Sequence, residues 1–271
     1  MQEAKYVNDI SSDRLLSPAA VEVSRIADLE CGVRTVVSRE PLISVLYLYL
    51  TEGTAAVTLS DAGELTMSGG DVLVVFPGRV VSVELTGESN RLMLVALKGP
   101  GAVEASLRFG FHDLFRAVER YSGDFMSEII ACYEASAAHG RDPVLLNLVE
   151  HLLTTVWLRA RHGGSNGPLL DALRTLNNLP LSGLTTEAAA QGLGISRSKL
   201  NTLFLSGMNM RPGEYISRIV GIRALAMLYW TKSSVAQIAK RTGFSSVSSF
   251  AVFLRRIYGF SPSEFRDRPI H

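Results

Sequence analysis

A run of polar and basic residues near position 200 carries side chains suited to binding DNA. The Asn201 amide can make a bidentate contact to adenine, whereas Arg197 and Lys199 are better suited to phosphates. Ser198 and Thr202 complete the run, and for these two an ordinary polar helix face remains open as an interpretation. The run predicts a surface that contacts both bases and the DNA backbone.

A second run, about fifty residues later, offers less for reading bases. Arg255 and Arg256 are suited to backbone phosphates, and such contacts position a protein without reading sequence. The remaining hydroxyl donors are Ser246, Ser248 and Ser249. Direct base readout is therefore expected to be poor here.

A sequence repeat indicates the elements that must position these side chains. The first copy contains Ala190, Gly194, Ile195, Ser196, Leu200, Leu203 and Phe204, and the second contains Ala239, Gly243, Phe244, Ser245, Phe250, Phe253 and Leu254. The copies are 49 positions apart before the serine and 50 after it, so the second has one extra residue in its turn. In each, a short helix ends at a glycine that can take positive φ, and the serine begins a second helix. The spacing predicts two helix-turn-helix units, each leaving one helix face free for a DNA groove.

One long helix is predicted between the two units. It begins at Pro212, a favourable first-turn residue, and runs through Leu228, with apolar residues at helical spacing. About 19 residues at 1.5 Å each span roughly 29 Å, close to the ~34 Å between successive major-groove faces on one side of B-DNA. A lone pattern of this type is weak evidence because helix hairpins are common, but two joined copies are much stronger.

The C-terminal residues resemble those of AraC/XylS-type transcription regulators. The resemblance lies in Ile238-Ala239, in Thr242-Gly243-Phe244-Ser245-Ser246 and in the stretch 258–266, and it covers about the last hundred residues. It implies a seven-helix DNA-binding domain with two recognition helices. It also implies an N-terminal domain that senses an effector or dimerises.

The same resemblance distinguishes the two recognition helices. In the first, it assigns base reading to Ser198, Asn201 and Thr202. In the second, the chain departs from the family, in which a basic residue is common where Val252 stands and polar ones where Val247 and Ala251 stand. Apolar second helices of this kind resemble those of the virulence-gene and acid-response members.

The N-terminal part has the pattern of an all-β domain, with short apolar segments divided by turn residues. The predicted strands are 33–37, 43–50, 55–59, 64–67, 72–76, 80–85 and 92–97. The segment 70–78 is similar to the cupin-like strand pair in sensor domains of this regulator family. Cupin enzymes usually bind a metal through histidines, one of which lies a few residues after the Pro-Gly turn that ends this segment. Here Val80 and Val81 occupy those positions, and no histidine precedes His112. The domain is interpreted as a sensor or structural body without metal or cofactor.

Between 103 and 161 the apolar period becomes helical, most clearly in 143–161. This stripe forms either core or a dimer seam, and core is favoured slightly because no heptad is sustained. The fold class predicted is α+β. Its parts are a cupin-like β-barrel or sandwich at 1–102, a helical connector and dimerisation region at 103–162, a linker at 163–167 and an all-α DNA-binding domain at 168–271.

Composition and charge limit the function classes. The net charge is +1, but 168–271 carries 13 Lys/Arg against 5 Asp/Glu, a net +8, and the rest of the chain carries −7. A basic domain beside an acidic one suits a polyanion partner, although a solvated positive face would suffice on charge alone. The two cysteines, Cys31 and Cys132, are too few for a disulfide framework and suit reduced thiols in the cytoplasm. No secretory signal or membrane segment is predicted.

The sequence therefore favours a cytoplasmic transcription regulator, an activator that binds double-stranded promoter DNA and contacts RNA polymerase. Its N-terminal domain is expected to respond to a small-molecule effector or to a regulatory protein, and the sequence does not separate the two. A homodimer is consistent with the helical connector. The other class considered, a cupin-type metal enzyme, lacks the histidine ligands.

Overall fold

The computed structural model describes residues 21–38, 40–60, 63–108, 111, 115–118, 123–135, 143–162, 167–208 and 210–267. The chain divides into two compact units, Met1–Ala160 and Arg161–His271. The first contains β-sheets and the second is helical, so the predicted α+β class is confirmed. Four residues of the predicted linker, 163–166, lie outside the described residues.

Two antiparallel sheets form the body of the first unit. Its described strands are β1 (Glu22–Cys31), β2 (Arg34–Val37), β3 (Val45–Glu52), β4 (Thr54–Leu59), β5 (Gly63–Ser68), β6 (Asp71–Val75), β7 (Val81–Leu85), β8 (Asn90–Lys98) and β9 (Phe115–Val118). One sheet has the order β1-β8-β3-β6-β9 and the other the order β2-β7-β4-β5. The helices described here are α1 (Ala102–Arg108), α2 (Gly123–Ala135) and α3 (Pro143–His162).

The core of this unit is built from alternate residues of both sheets. Buried and more exposed positions alternate along β4 and β7, because successive side chains on a strand point to opposite faces. One continuous cluster joins Leu48 and Leu50 of β3 to Val57 of β4 and Val83 of β7. Val81 belongs to the same cluster, so one of the two positions where a cupin enzyme would carry a ligand histidine is filled by a core side chain.

Strand β3 comes from the most apolar run of the sequence and is buried on both faces. On the face opposite the core cluster, the Tyr47 hydroxyl donates a hydrogen bond to Ser106 Oγ of α1 over 2.6 Å. Ser106 in turn donates to the carbonyl of Ala102. Burial raises the pKa of the Tyr47 phenol, which therefore stays protonated and remains a donor.

The buried Asn90 side chain connects three turns. Its Oδ1 accepts hydrogen bonds from the backbone N–H groups of Thr54 and Gly87. Its Nδ2 donates to the carbonyls of Cys31, Gly32 and Gly87. Since every polar atom of this amide is satisfied without water, the residue can be fully buried among the turns.

Two strands were not predicted from the sequence. In β1 a bulge between Val23 and Arg25 shifts the alternation by one residue and hides the period of two. The four residues of β9 lie inside the stretch predicted to be helical, so that prediction was wrong there. They pair with β6 through a long-range ladder that local periodicity does not reveal.

Seven α-helices are described in the second unit, the number that the resemblance implied. They are α4 (Gly167–Asn178), α5 (Thr186–Gly192), α6 (Arg197–Met208), α7 (Pro212–Trp230), α8 (Val235–Arg241), α9 (Val247–Tyr258) and α10 (Pro262–Arg266). A short 3-10 turn, Leu181–Gly183, precedes α5. The long helix α7 has 19 residues and begins at Pro212, as predicted.

Helix α7 is the centre of this unit and packs against α5, α6, α8, α9 and α10. At its start, the Tyr215 ring meets Phe204 of α6 edge to face with centroids 5.3 Å apart. In its middle, Gly221 lies directly beneath Tyr258 of α9. At its end, Arg266 of α10 donates to the Leu228 carbonyl. Both helix-turn-helix units are thus mounted on one element.

Candidate nucleic-acid interface

The two turns have the same hydrogen-bond pattern. In the first, the N–H groups of Gly194 and Ile195 donate to carbonyls three and five residues earlier, and in the second Gly243 and Phe244 do the same. This is the Schellman pattern for ending a helix, which needs a residue at positive φ. Gly194 has φ of 62° and Gly243 of 87°, as the repeat predicted.

The second helix of each unit begins at a capping serine. Ser196 Oγ accepts a hydrogen bond from the Lys199 N–H, and Ser246 Oγ accepts one from the Ser249 N–H. The two caps are 50 positions apart, so the extra residue of the second copy is Ser245. The prediction that Ser245 begins this helix was wrong. The capping residue is the one whose side chain accepts from the backbone N–H three residues later, and the sequence offers two adjacent serines for this role.

Helix α6 presents the predicted polar face to solvent. Leu200 and Phe204 are buried and Leu203 is half-buried. The five predicted site residues are all exposed: Arg197, Ser198, Lys199, Asn201 and Thr202. The structure therefore brings together the base-reading and phosphate-binding candidates of the first helix-turn-helix.

Two of these side chains have intramolecular partners that the sequence did not show. Arg197 Nη1 lies 3.1 Å from Glu187 Oε1 of α5, with both groups largely exposed. The Thr202 hydroxyl donates a hydrogen bond to the Ser198 carbonyl, and this bond also fixes the orientation of the Thr202 methyl group. An exposed ion pair of this type contributes about 0–1 kcal/mol, so Arg197 can exchange Glu187 for a phosphate at little cost.

Helix α9 has the same construction with a different outer face. Phe250 and Leu254 are buried. The predicted site residues Ser246, Ser248, Ser249, Arg255 and Arg256 are all exposed. Between them lies Val252, which is 69% exposed. Polar groups thus flank an apolar centre.

The donors of α9 are fewer than the sequence suggested. Ser246 Oγ lies 3.0 Å from Ser249 Oγ, and Ser249 Oγ donates to the Ser246 carbonyl. Both hydroxyls therefore serve the helix cap. Ser248 is left as the one predicted serine of this face for which no side-chain bond is described.

Arg255 has an intramolecular partner, whereas none is described for Arg256. Arg255 Nη2 lies 3.2 Å from Glu264 Oε2 of α10. The backbone N–H of Ser261, the Ser261 hydroxyl and Arg255 together lower the pKa of Glu264 to about 2. No such side-chain contact is described for Arg256, which makes it the better placed of the two for a phosphate.

A buried arginine joins two helices of the DNA-binding part. The guanidinium of Arg223, on α7, donates to the Asn177 carbonyl in the last turn of α4. The Asn177 amide oxygen accepts from the Tyr215 hydroxyl over 2.9 Å. A cation at a helix C-terminus is favourable, because unpaired carbonyls there carry partial negative charge. These contacts fix α4 to α7, and no sequence signal indicated them.

Sequence comparison identifies this arrangement. A family profile described as a helix-turn-helix domain matches residues 189–268. The crystal structure of a transcriptional regulator from Chromobacterium violaceum, described as containing an AraC-type DNA-binding domain, is 30% identical over 38% of this chain and 93% of that one, with a TM-score of 0.36. The chain belongs to the AraC-type transcription regulators.

Two further matches differ in how much of the chain they cover. The transcriptional regulator ArgR of Pseudomonas aeruginosa is 32% identical over 41% of this chain and 34% of its own length. A structure of ToxT from Vibrio cholerae with an unsaturated fatty acid bound aligns over 91% of this chain and 94% of its own, with 15% identity and a TM-score of 0.47. The chain spans about a third of the length of the curated relatives it matches.

Among the residues that the structure describes, no helix is both long and apolar enough to cross a membrane. Within the same ranges, His, Cys, Asp and Glu side chains do not come together in groups of three that could hold a metal.

Proposed function

We propose that this AraC-type chain is a sequence-specific regulator of transcription, an activator, whose helices α6 and α9 enter the major groove of promoter DNA. The observation that carries the proposal is the pair of matching turns, each followed by a capped helix with an exposed polar or basic face. Helix α7, about 29 Å long, separates them by nearly one turn of B-DNA.

The roles within this surface follow from side-chain chemistry. Asn201 pairs with an adenine edge, with Ser198 and Thr202 as neighbouring readers. Arg197 and Lys199 bind phosphates at the start of α6. On α9, Ser248 and the cap residues Ser246 and Ser249 border the bases, and Arg255 and Arg256 bind the backbone.

Residues 1–102 are the proposed control domain. It takes a small-molecule effector or a regulatory protein, residues 103–162 connect it to the DNA-binding part and contribute to a homodimer, and residues 163–167 form the linker. The division proposed is 1–102, 103–162, 163–167 and 168–271. Bound to a promoter, the protein contacts RNA polymerase. The cupin-enzyme alternative is not favoured, because Val81, at a position where such an enzyme would carry a ligand histidine, is a core side chain.

The test is a selection of bound DNA sequences with the full chain, followed by affinity measurements at several salt concentrations. Asn201→Ala should relax base preference in one half-site, at about 1–3 kcal/mol if the bidentate contact exists. Arg256→Ala should weaken all sequences alike and reduce the slope of log affinity against log salt by about one.

Ser206→Ala is the matched control, because Ser206 is exposed on the same helix but lies outside the predicted set. It should change neither preference nor slope. If the full chain selects no sequence at low salt, the proposed function is wrong. If Asn201→Ala leaves preference intact while the protein still selects DNA, only the assignment of the reading residue is wrong.

A further inference from the structure

Val252 is an exposed apolar residue at the centre of the α9 outer face. It lies two residues after Phe250 and two before Leu254, which are both buried, so on an α-helix it points away from the core. Its side chain is 69% exposed. Exposing this apolar side chain to water is unfavourable, so a partner that covers it would be bound more tightly.

The matching position on α6 is Thr202. Each is the sixth residue after its capping serine, Ser196 or Ser246, and each lies midway between two buried residues. Counted from its capping serine, each side chain therefore occupies the same position on its recognition helix. Threonine and valine have the same branched shape and differ by one methyl in place of a hydroxyl.

Resting on the proposed function, we infer that Val252 reads thymine, through contact with the C5-methyl group in the major groove. Valine has no donor or acceptor, and the major-groove edges of the four base pairs present one apolar group, the thymine methyl. A polar edge at this place would lose water without gaining a hydrogen bond.

The surroundings of Val252 favour DNA over a protein as the occupant. Arg255 and Arg256 follow within the next turn and Ser248 precedes it by one turn, all of them exposed. The apolar contact at Val252 is therefore bordered by cations, as expected of a helix inserted between phosphate backbones. We expect the half-site under α9 to contain a thymine that is selected through its methyl group and not through a hydrogen bond.

The experiment removes the methyl from the DNA. With the full chain and its selected site, each thymine of the α9 half-site is replaced in turn by deoxyuridine, which keeps all hydrogen-bonding groups. One replacement should weaken binding about three- to fivefold, the value of burying one methyl group. For Val252→Ala the same replacement should have no effect, so that the two changes are coupled in a double-mutant cycle.

Two controls separate this contact from other effects. Deoxyuridine in the α6 half-site should show no coupling to Val252→Ala, and Val37→Ala, an exposed valine on β2, should leave every affinity unchanged. If no deoxyuridine replacement couples to Val252, the inference is overturned while the proposed function stands. If Val252→Ala lowers transcription but not DNA affinity, the face binds a protein and the inference is again wrong. Absence of any sequence-selective binding would instead contradict the proposed function.

Discussion

A single carboxylate, Glu264, joins the second recognition helix to the end of the chain. It accepts the Ser261 N–H over 2.6 Å, which closes the capping box of α10, and it receives the guanidinium of Arg255 from α9. These donors favour the charged form, so its pKa falls to about 2 from an ordinary value of 4.5. Because the folded-state pKa is the lower one, the stabilisation is complete above pH 4.5 and is lost as the pH falls toward 2.

The prediction at this scale concerns Glu264→Gln. The variant should melt below the wild type at neutral pH, and the two melting temperatures should converge between pH 4.5 and 2, where the wild-type carboxylate becomes protonated. Melting followed by circular dichroism across this range is the measurement. Glu187→Gln is the control, since Glu187 pairs with Arg197 but sits at a position of α5 that makes no capping box. A melting difference that is equal at both ends of the range would mean that the charge of Glu264 does not stabilise the fold.

At the scale of elements, the packing of α9 on α7 depends on one glycine. A Cβ on Gly221 would lie 2.7 Å from the Tyr258 hydroxyl oxygen and 2.8 Å from a ring carbon of the same residue. Glycine inside a helix ordinarily costs about 0.5–1 kcal/mol relative to alanine. Here it allows the two helices to approach, and α9 carries the proposed DNA-reading face.

Gly221→Ala is therefore predicted to destabilise the second unit, by about 1–3 kcal/mol, because Tyr258 must move. Gly192→Ala, at the last residue of α5, should be neutral or stabilising by up to about 1 kcal/mol, since nothing lies within 4 Å of the new Cβ. Chemical denaturation of both variants measures the difference. Effects of the same sign and size would show that the Tyr258 contact does not constrain α7.

At the scale of the whole molecule, charge is divided between the two compact units. Residues 161–271 carry a net +9 and residues 1–160 a net −8, so only the second unit suits a polyanion. Unit Arg161–His271 contains both turns, the recognition helices and α7.

A fragment of residues 161–271 should accordingly bind double-stranded DNA by itself, with affinity that falls steeply as salt rises, because each phosphate contact releases counterions. Residues 1–160 should not bind. Gel-shift measurements on both fragments, after circular dichroism has shown that each is folded, decide the matter. Binding by residues 1–160 and none by a folded 161–271 would contradict the assignment of the two units.

Local signals in the sequence were sufficient for much of the second unit. The repeat placed both turns, and Pro212 marked the start of α7. Ser234 with Gln237 and Ser261 with Glu264 form capping boxes at a spacing that can be recognised in the sequence. Each depends on groups within five residues of one another, so residue type and spacing determine the geometry. The exposed face of α6 followed from the same periodicity.

What the tertiary structure decided involves residues far apart in the chain. The pairing of β9 with β6, the contact of Arg255 with Glu264 and the Arg223–Asn177 hydrogen bond have no counterpart in local spacing. Each depends on which surfaces meet after folding, and residue order leaves many such meetings open.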